Sequence, residues 1–140
     1  MQAIEFRALL AQKEMKVDVK LLRKVKKMIL AQPKRFDMDS FGRRVPAEEG
    51  GPRCGTVACI AGWAVILKKK VPRNPHAEMP PIGREDGMEA LDIDYDQAAR
   101  LFYDEEWPEQ FRDYVADGSK ESACIAARRI EHFIKTKGAD

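Results

Sequence analysis

The stretch VACIAGWAVIL, Val57 to Leu67, runs eleven residues without a charge and constrains this chain more than any other segment. It falls well short of the roughly 18 to 20 apolar residues that a membrane-spanning helix requires. In water it must lie inside the fold. It is longer and richer in alanine than a buried strand usually is, and Thr56 is a good N-cap, so a helix is predicted over about 57–69. A helix that is apolar on every side has to be central, with other elements covering all its faces. Lys68, Lys69 and Lys70 fall at its C-terminal end, where cations complement the exposed carbonyls.

The covering elements can be read from their periodicity. Between Asp18 and Ala31, Leu21, Leu22, Val25, Met28 and Ile29 gather within about 120° of a helical wheel, while Lys20, Arg23, Lys24 and Lys27 gather opposite. Asp18 can cap this amphipathic helix, and Pro33 stops it. Ile4, Leu9 and Leu10 predict a shorter helix over about 3–13. Asp94 and Gln97 have capping-box spacing and open a helix through Phe102. Pro108 after Trp107 starts another, with Phe111, Tyr114 and Val115 as its buried side and Gly118 as its stop. Ser119 caps a last helix that buries Ala123, Ala126, Ala127, Ile130, Phe133 and Ile134, with Gly138 beyond its end. The small faces Gly55, Ala58, Gly62 and Ala123, Ala126, Ala127 predict that the central and last helices cross closely. No segment alternates with period two. The expected fold is therefore all-α: a compact single-domain helical bundle over 1–140, built around the central helix, with two long irregular loops at about 33–53 and 71–92. With 140 residues, 44% of them apolar and 34% charged, the chain can bury such a core without staples.

The same features limit function. The opening MQAIEFRALL places Glu5 and Arg7 where a secretory signal would be apolar, so the expected location is cytoplasmic and no membrane partner is indicated. Three cysteines is an odd count, and in a reducing compartment they stay thiols, leaving packing, metal binding or catalysis as their roles. Net charge is +2, but residues 1–44 carry 12 Lys/Arg against 5 Asp/Glu, whereas residues 45–140 carry 13 against 18. Either the basic N-terminal part lies against the acidic remainder, or it meets an external anionic partner.

Cys54 is the candidate nucleophile, because a cysteine just before a helix is activated by the free N–H groups and positive end of the dipole. The base would have to be His76 or His132, and neither is placed near Cys54 by sequence. Packing is the simpler role for Cys54 and Cys59. Metal is not expected: C-x4-C is not a compact zinc spacing, and on a helix the two thiols would stand about 140° apart. Gly50, Gly55 and Thr56 have part of the spacing of a phosphate-binding loop, but the lysine and the preceding strand are missing. What survives is an anion site on backbone grounds, a glycine-rich loop bearing Arg43, Arg44 and Arg53 and running through Gly55 into a helix start at Thr56. Lys16, Lys20, Arg23, Lys24 and Lys27 form a basic face that a nucleic acid would suit, although solvation alone explains most such faces and there is no aromatic interleaving. Phe102, Tyr103, Trp107, Phe111 and Tyr114 beside Asp104, Glu105, Glu106 and Glu109 are expected to form a corner of the core. No cofactor is called for.

Four segments, RFDM (Arg35 to Met38), CGTVACIAGWA (Cys54 to Ala64), LFYDEEWP (Leu101 to Pro108) and RIEHFI (Arg129 to Ile134), together resemble a set of small bacterial and phage proteins without an established function. That resemblance covers about half the chain and implies that the four segments belong to one domain. It brings no activity. The expectation from sequence is a non-catalytic binding or interaction protein, with a small anionic molecule or a protein as its partner. A Cys54 enzyme and a nucleic-acid binder are the alternatives.

Overall fold

The structure is a computed structural model and describes residues 17–140. The helix predicted over 3–13 and the candidate Lys16 lie outside the described residues.

The first helix, α1, spans Val19–Ala31; Asp18 caps it by accepting from the Leu21 amide at 3.0 Å, and Leu21, Leu22, Val25 and Ile29 form its buried face. It stops where Gln32 turns extended and Pro33 opens a 3-10 turn over Pro33–Arg35. The chain then becomes a hairpin. Strand β1, Arg43–Arg44, pairs antiparallel with β2, Thr56–Val57, placing Arg43 opposite Val57 and Arg44 opposite Thr56. A parallel bridge between Phe36 and Ala58 extends it on the other side.

This small sheet corrects the all-α expectation, and it has a physical cause. Thr56 and Val57 are both β-branched, a type that favours extended backbone. Neighbouring segments satisfy the polar backbone here: the Ala58 amide donates to Arg35 O at 3.0 Å and the Cys59 amide to Ser40 O at 2.7 Å. The central helix, α2, consequently begins later than predicted and spans Ile60–Lys68, with Cys59 rather than Thr56 as its cap. From Ile60 to Ile66 every residue of α2 is buried, as an all-apolar helix demands.

The 71–92 connection holds a helix that was not expected, α3, spanning Arg84–Leu91. REDGMEAL has four charges and a glycine and shows no apolar stripe, so periodicity could not find it. Its Gly87 is what packs: a Cβ there would stand 2.8 Å from the Ala61 side chain and 2.9 Å from the Phe102 ring. Helix α4, Tyr95–Phe102, carries the predicted capping box, Asp94 accepting from the Gln97 amide at 2.8 Å and Gln97 from the Asp94 amide at 3.0 Å. The helix expected from Trp107 is instead a pair of 3-10 turns, Asp104–Glu106 and Glu109–Phe111. Phe111 and Tyr114 are buried as expected, whereas Val115 is exposed. Ser119 caps the last helix, α5, Lys120–Lys135, by accepting from the Ser122 amide.

Helix α2 packs chiefly on α1 and α3, and α5 lies along α1. The close crossing predicted between the central and last helices is not made. Gly62 meets the Phe41 carbonyl and Ala61 meets Gly87, so a loop and α3 occupy the small-residue faces of α2. The fold is helix-rich and compact, and no helix among the described residues is long and apolar enough to cross a membrane.

Candidate functional site

Strand alternation sorts the predicted anion-site residues onto two faces. Arg43, Val45 and Val57 line one side of a groove of about 260 Å³, which Lys34, Asp37, Gly51 and the 116–118 turn complete. Arg43 donates to the Asp37 carboxylate at 2.9 Å, and that carboxylate also accepts from the Asp39 amide at 2.8 Å. Asp117 closes the far wall, but its carboxylate is already engaged with the Ser119 amide at 2.9 Å and the Ser122 hydroxyl at 3.0 Å, and these hydrogen bonds hold its pKa below the ordinary value. Lys34 is exposed at the rim and, among the described residues, has no ion-pair partner.

Arg44, Gly55 and Thr56 belong to the opposite face and are part of the scaffold. The Arg44 guanidinium donates to the Ala77, Pro72 and Glu78 carbonyls at 2.9, 2.7 and 3.2 Å and to the Thr56 hydroxyl, which in turn donates to Arg73 O at 2.6 Å. One arginine thereby fastens the 72–78 loop to the hairpin. Gly55 has φ +73° and lies against the Pro75 ring, where a Cβ would overlap it at 2.4 Å. Arg53 is exposed and outside the groove. Of the five residues expected to hold an anion, the groove takes Arg43.

The helix start itself is closed. The Cys59 thiol accepts from the Gly62 amide at 3.4 Å, and the Phe41 backbone lies directly over Gly62. Cys59 is 2% exposed, and burial pushes its pKa up to about 11 despite the amides around it, so it is a thiol rather than a thiolate. Cys54, placed by expectation next to the helix, precedes α2 by six residues and is partly exposed, its thiol donating to Thr56 O at 3.6 Å. Exposed His76 sits in the loop, while His132 meets Asp140 at 3.1 Å and packs on Phe111 with ring centroids 5.3 Å apart. Among the described residues neither imidazole hydrogen-bonds a thiol, and no three His, Cys, Asp or Glu side chains converge on a point that could hold a metal ion.

The Cys59 shift implies a pH dependence. A native thiol that ionises near 11 instead of its ordinary 9 favours the protonated folded state, so this stabilisation is complete below pH 9 and is lost as pH rises toward 11. By pH 10 the loss is about 1 kcal/mol. Urea unfolding at pH 8 and 10 should show wild type losing about that much more than Cys59→Ala; equal losses in the two proteins would refute the assignment. Tyr114, raised mainly by burial, acts in the same direction above pH 10. At pH 7.5 a disulfide reagent should label exposed Cys124 first, Cys54 next, and Cys59 only on unfolding.

The aromatic group forms the expected core corner. Trp107 and Tyr114 pack edge to face at 5.4 Å, as do Phe36 and Tyr114 at 5.7 Å, and the buried Tyr114 hydroxyl accepts from the Met38 amide at 3.1 Å. Beside this corner is a cleft of about 230 Å³, bordered by Asp39, Phe41, Phe102, Tyr103 and Asp104. Burial raises the Asp104 pKa. Sequence reasoning missed Lys34, Asp37 and the 116–118 turn as groove residues, because two of the groove's walls come from segments about 80 residues apart, each reading locally as a helix stop. Lys20, Arg23, Lys24 and Lys27 are exposed on α1, as predicted.

No protein-family model matches the chain, and comparison with curated proteins and with solved structures finds none similar to it.

Proposed function

We propose that this chain is a non-catalytic binding protein whose ligand is a small molecule carrying an anionic group. The supporting observation is the groove between the 34–37 segment, the Arg43 strand and the 116–118 turn, where Lys34 and Arg43 supply two cations at the mouth. The Arg43 side chain is 49% exposed and gives one N–H to Asp37, so its outer guanidinium N–H groups can donate to an entering carboxylate or phosphate while Asp37, 15% exposed, stays in place on Arg43 and the Asp39 amide. The expected anion site thus moves from the closed start of α2 to the open side of the hairpin. Catalysis is not part of the proposal, since neither histidine hydrogen-bonds Cys54 and the helix-capping thiol is buried.

A melting screen against inorganic phosphate, nucleoside monophosphates and small dicarboxylates tests the proposal. A ligand at about 100 times its Kd should stabilise the native state by about 2.7 kcal/mol. Lys34→Ala and Arg43→Ala should each remove most of that shift, and Arg53→Ala should leave it in place. Loss with Arg53→Ala and retention with Arg43→Ala would move the ligand off this groove.

A further inference from the structure

Helices α1 and α5 run antiparallel: Arg23 and Lys26 both reach Glu131, while at the other end Lys34 lies against Gly118. This pairing brings Arg128 of α5 beside Lys26 and Leu30 of α1, across a shallow open groove floored by Ala127. The basic face of α1 therefore extends sideways onto a second helix. Among the described residues, Lys20, Arg23, Lys24, Lys26, Lys27 and Arg128 stand against Glu131 within this strip, and Lys20, Lys24, Lys27 and Arg128 have no ion-pair partner. Thirteen residues of α1 give the strip a length of roughly 20 Å.

From this geometry we infer that the α1/α5 face is a second binding surface, distinct from the hairpin groove, and that it takes the phosphate backbone of a double-stranded nucleic acid. Three features favour that occupant. The strip is rigid, being built on two packed helices, and its length spans several phosphates of a duplex that carries a charge about every 1.7 Å of axis. Among the described residues it has none of the aromatic anchors that protein interfaces and single-stranded readers use: Leu30 is its exposed large apolar residue, whereas Tyr95 and Val115 belong to other elements. Residues 45–140 apart from Arg128 and Glu131 of the strip carry 12 Lys/Arg against 17 Asp/Glu, an acidic balance that favours this face as the one turned to a polyanion. Contacts to phosphates without base-stacking groups give binding without sequence preference.

The test is fluorescence anisotropy of the full chain with a labelled 20-base-pair DNA duplex, an equal single strand, and vesicles containing one third phosphatidylserine as competitor. Duplex binding is expected at 50 mM salt, weakening at least tenfold at 200 mM. Arg128→Glu should weaken it at least fivefold, the triple reversal Lys20→Glu, Lys24→Glu, Lys27→Glu should abolish it, and Arg53→Glu on the hairpin loop should leave it unchanged. Arg128→Gln provides a milder companion, and melting curves confirm that each variant folds. No duplex binding at 50 mM salt, an unaffected Arg128→Glu, an Arg53→Glu as weak as Arg128→Glu, or binding confined to vesicles or the single strand would each overturn the inference.

Discussion

Gly62→Ala should destabilise the protein by at least about 3 kcal/mol, although alanine is the better helix former by about 1 kcal/mol. The new Cβ would lie 1.8 Å from the Phe41 carbonyl oxygen, 2.7 Å from its carbon and 2.8 Å from the Ala58 Cβ. None of these atoms is the end of a flexible side chain. Relief requires the 37–41 backbone to move, yet that segment is pinned three ways: Ser40 O accepts from the Cys59 amide at 2.7 Å, the Asp37 amide donates to Ala58 O at 3.2 Å, and the Met38 amide donates to Tyr114 at 3.1 Å. The clash therefore spreads into the hairpin and the aromatic corner. Urea unfolding measures the loss, and Cys59 should become labelled in the folded variant as the helix start loosens. If Gly62→Ala matched or exceeded wild-type stability, propensity would have won, and the close approach of the 41 loop to α2 would be wrong.

Gly62 also shows what was legible beforehand and what was not. That the 57–67 run had to be buried followed from its composition, and so did the caps at Asp18, Asp94 and Ser119, because those signals act within one turn. What pressed on the glycine was a different matter. The small face of α2 invited a second small-faced helix, and α5 offered one, but the available space is taken by a loop carbonyl and by Gly87 of α3. Both partners come from segments without apolar period, so nothing local announces them. The same blindness hid the hairpin: two residues pair with two, too few to show alternation, and Thr56 reads equally as a cap or a strand. At the candidate site, Arg43 and Arg44 are neighbours of identical charge, and only their placement on opposite faces of a strand separates a groove residue from a clamp.

Arg129→Ala is expected to cost about 3 to 4 kcal/mol, on a position that sequence alone assigns to a helix face with no special role. The side chain is 0% exposed, and among the described residues no Asp or Glu side chain forms an ion pair with it; its guanidinium donates to Asp140 O at 2.9 Å and to Arg100 O at 3.0 Å, and it stands over the Phe111 and Phe133 rings at 5.9 and 5.7 Å. Arg100 O belongs to the last turn of α4, where carbonyls lack helical partners and a cation complements the dipole. Burial lowers the Arg129 pKa to about 10, the mark of a charge held at some cost. Truncation to alanine leaves a cavity and takes the Arg129 donor from Arg100 O, whereas Asp140 O keeps the Thr136 hydroxyl at 3.1 Å, so a packing penalty and a hydrogen-bond penalty fall together. Arg129→Met fills the space and removes the buried charge while still taking the Arg129 donor from Arg100 O, so it should cost less, about 1 to 2 kcal/mol. In both variants the 136–140 segment loses a tether that Arg100 supports independently through Gly138 O at 2.8 Å. Faster tryptic cleavage at Lys135 and Lys137, together with the ordering Ala below Met below wild type in urea midpoint, checks the role; an alanine variant within 1 kcal/mol of wild type would show that Arg129 is solvated and clamps nothing.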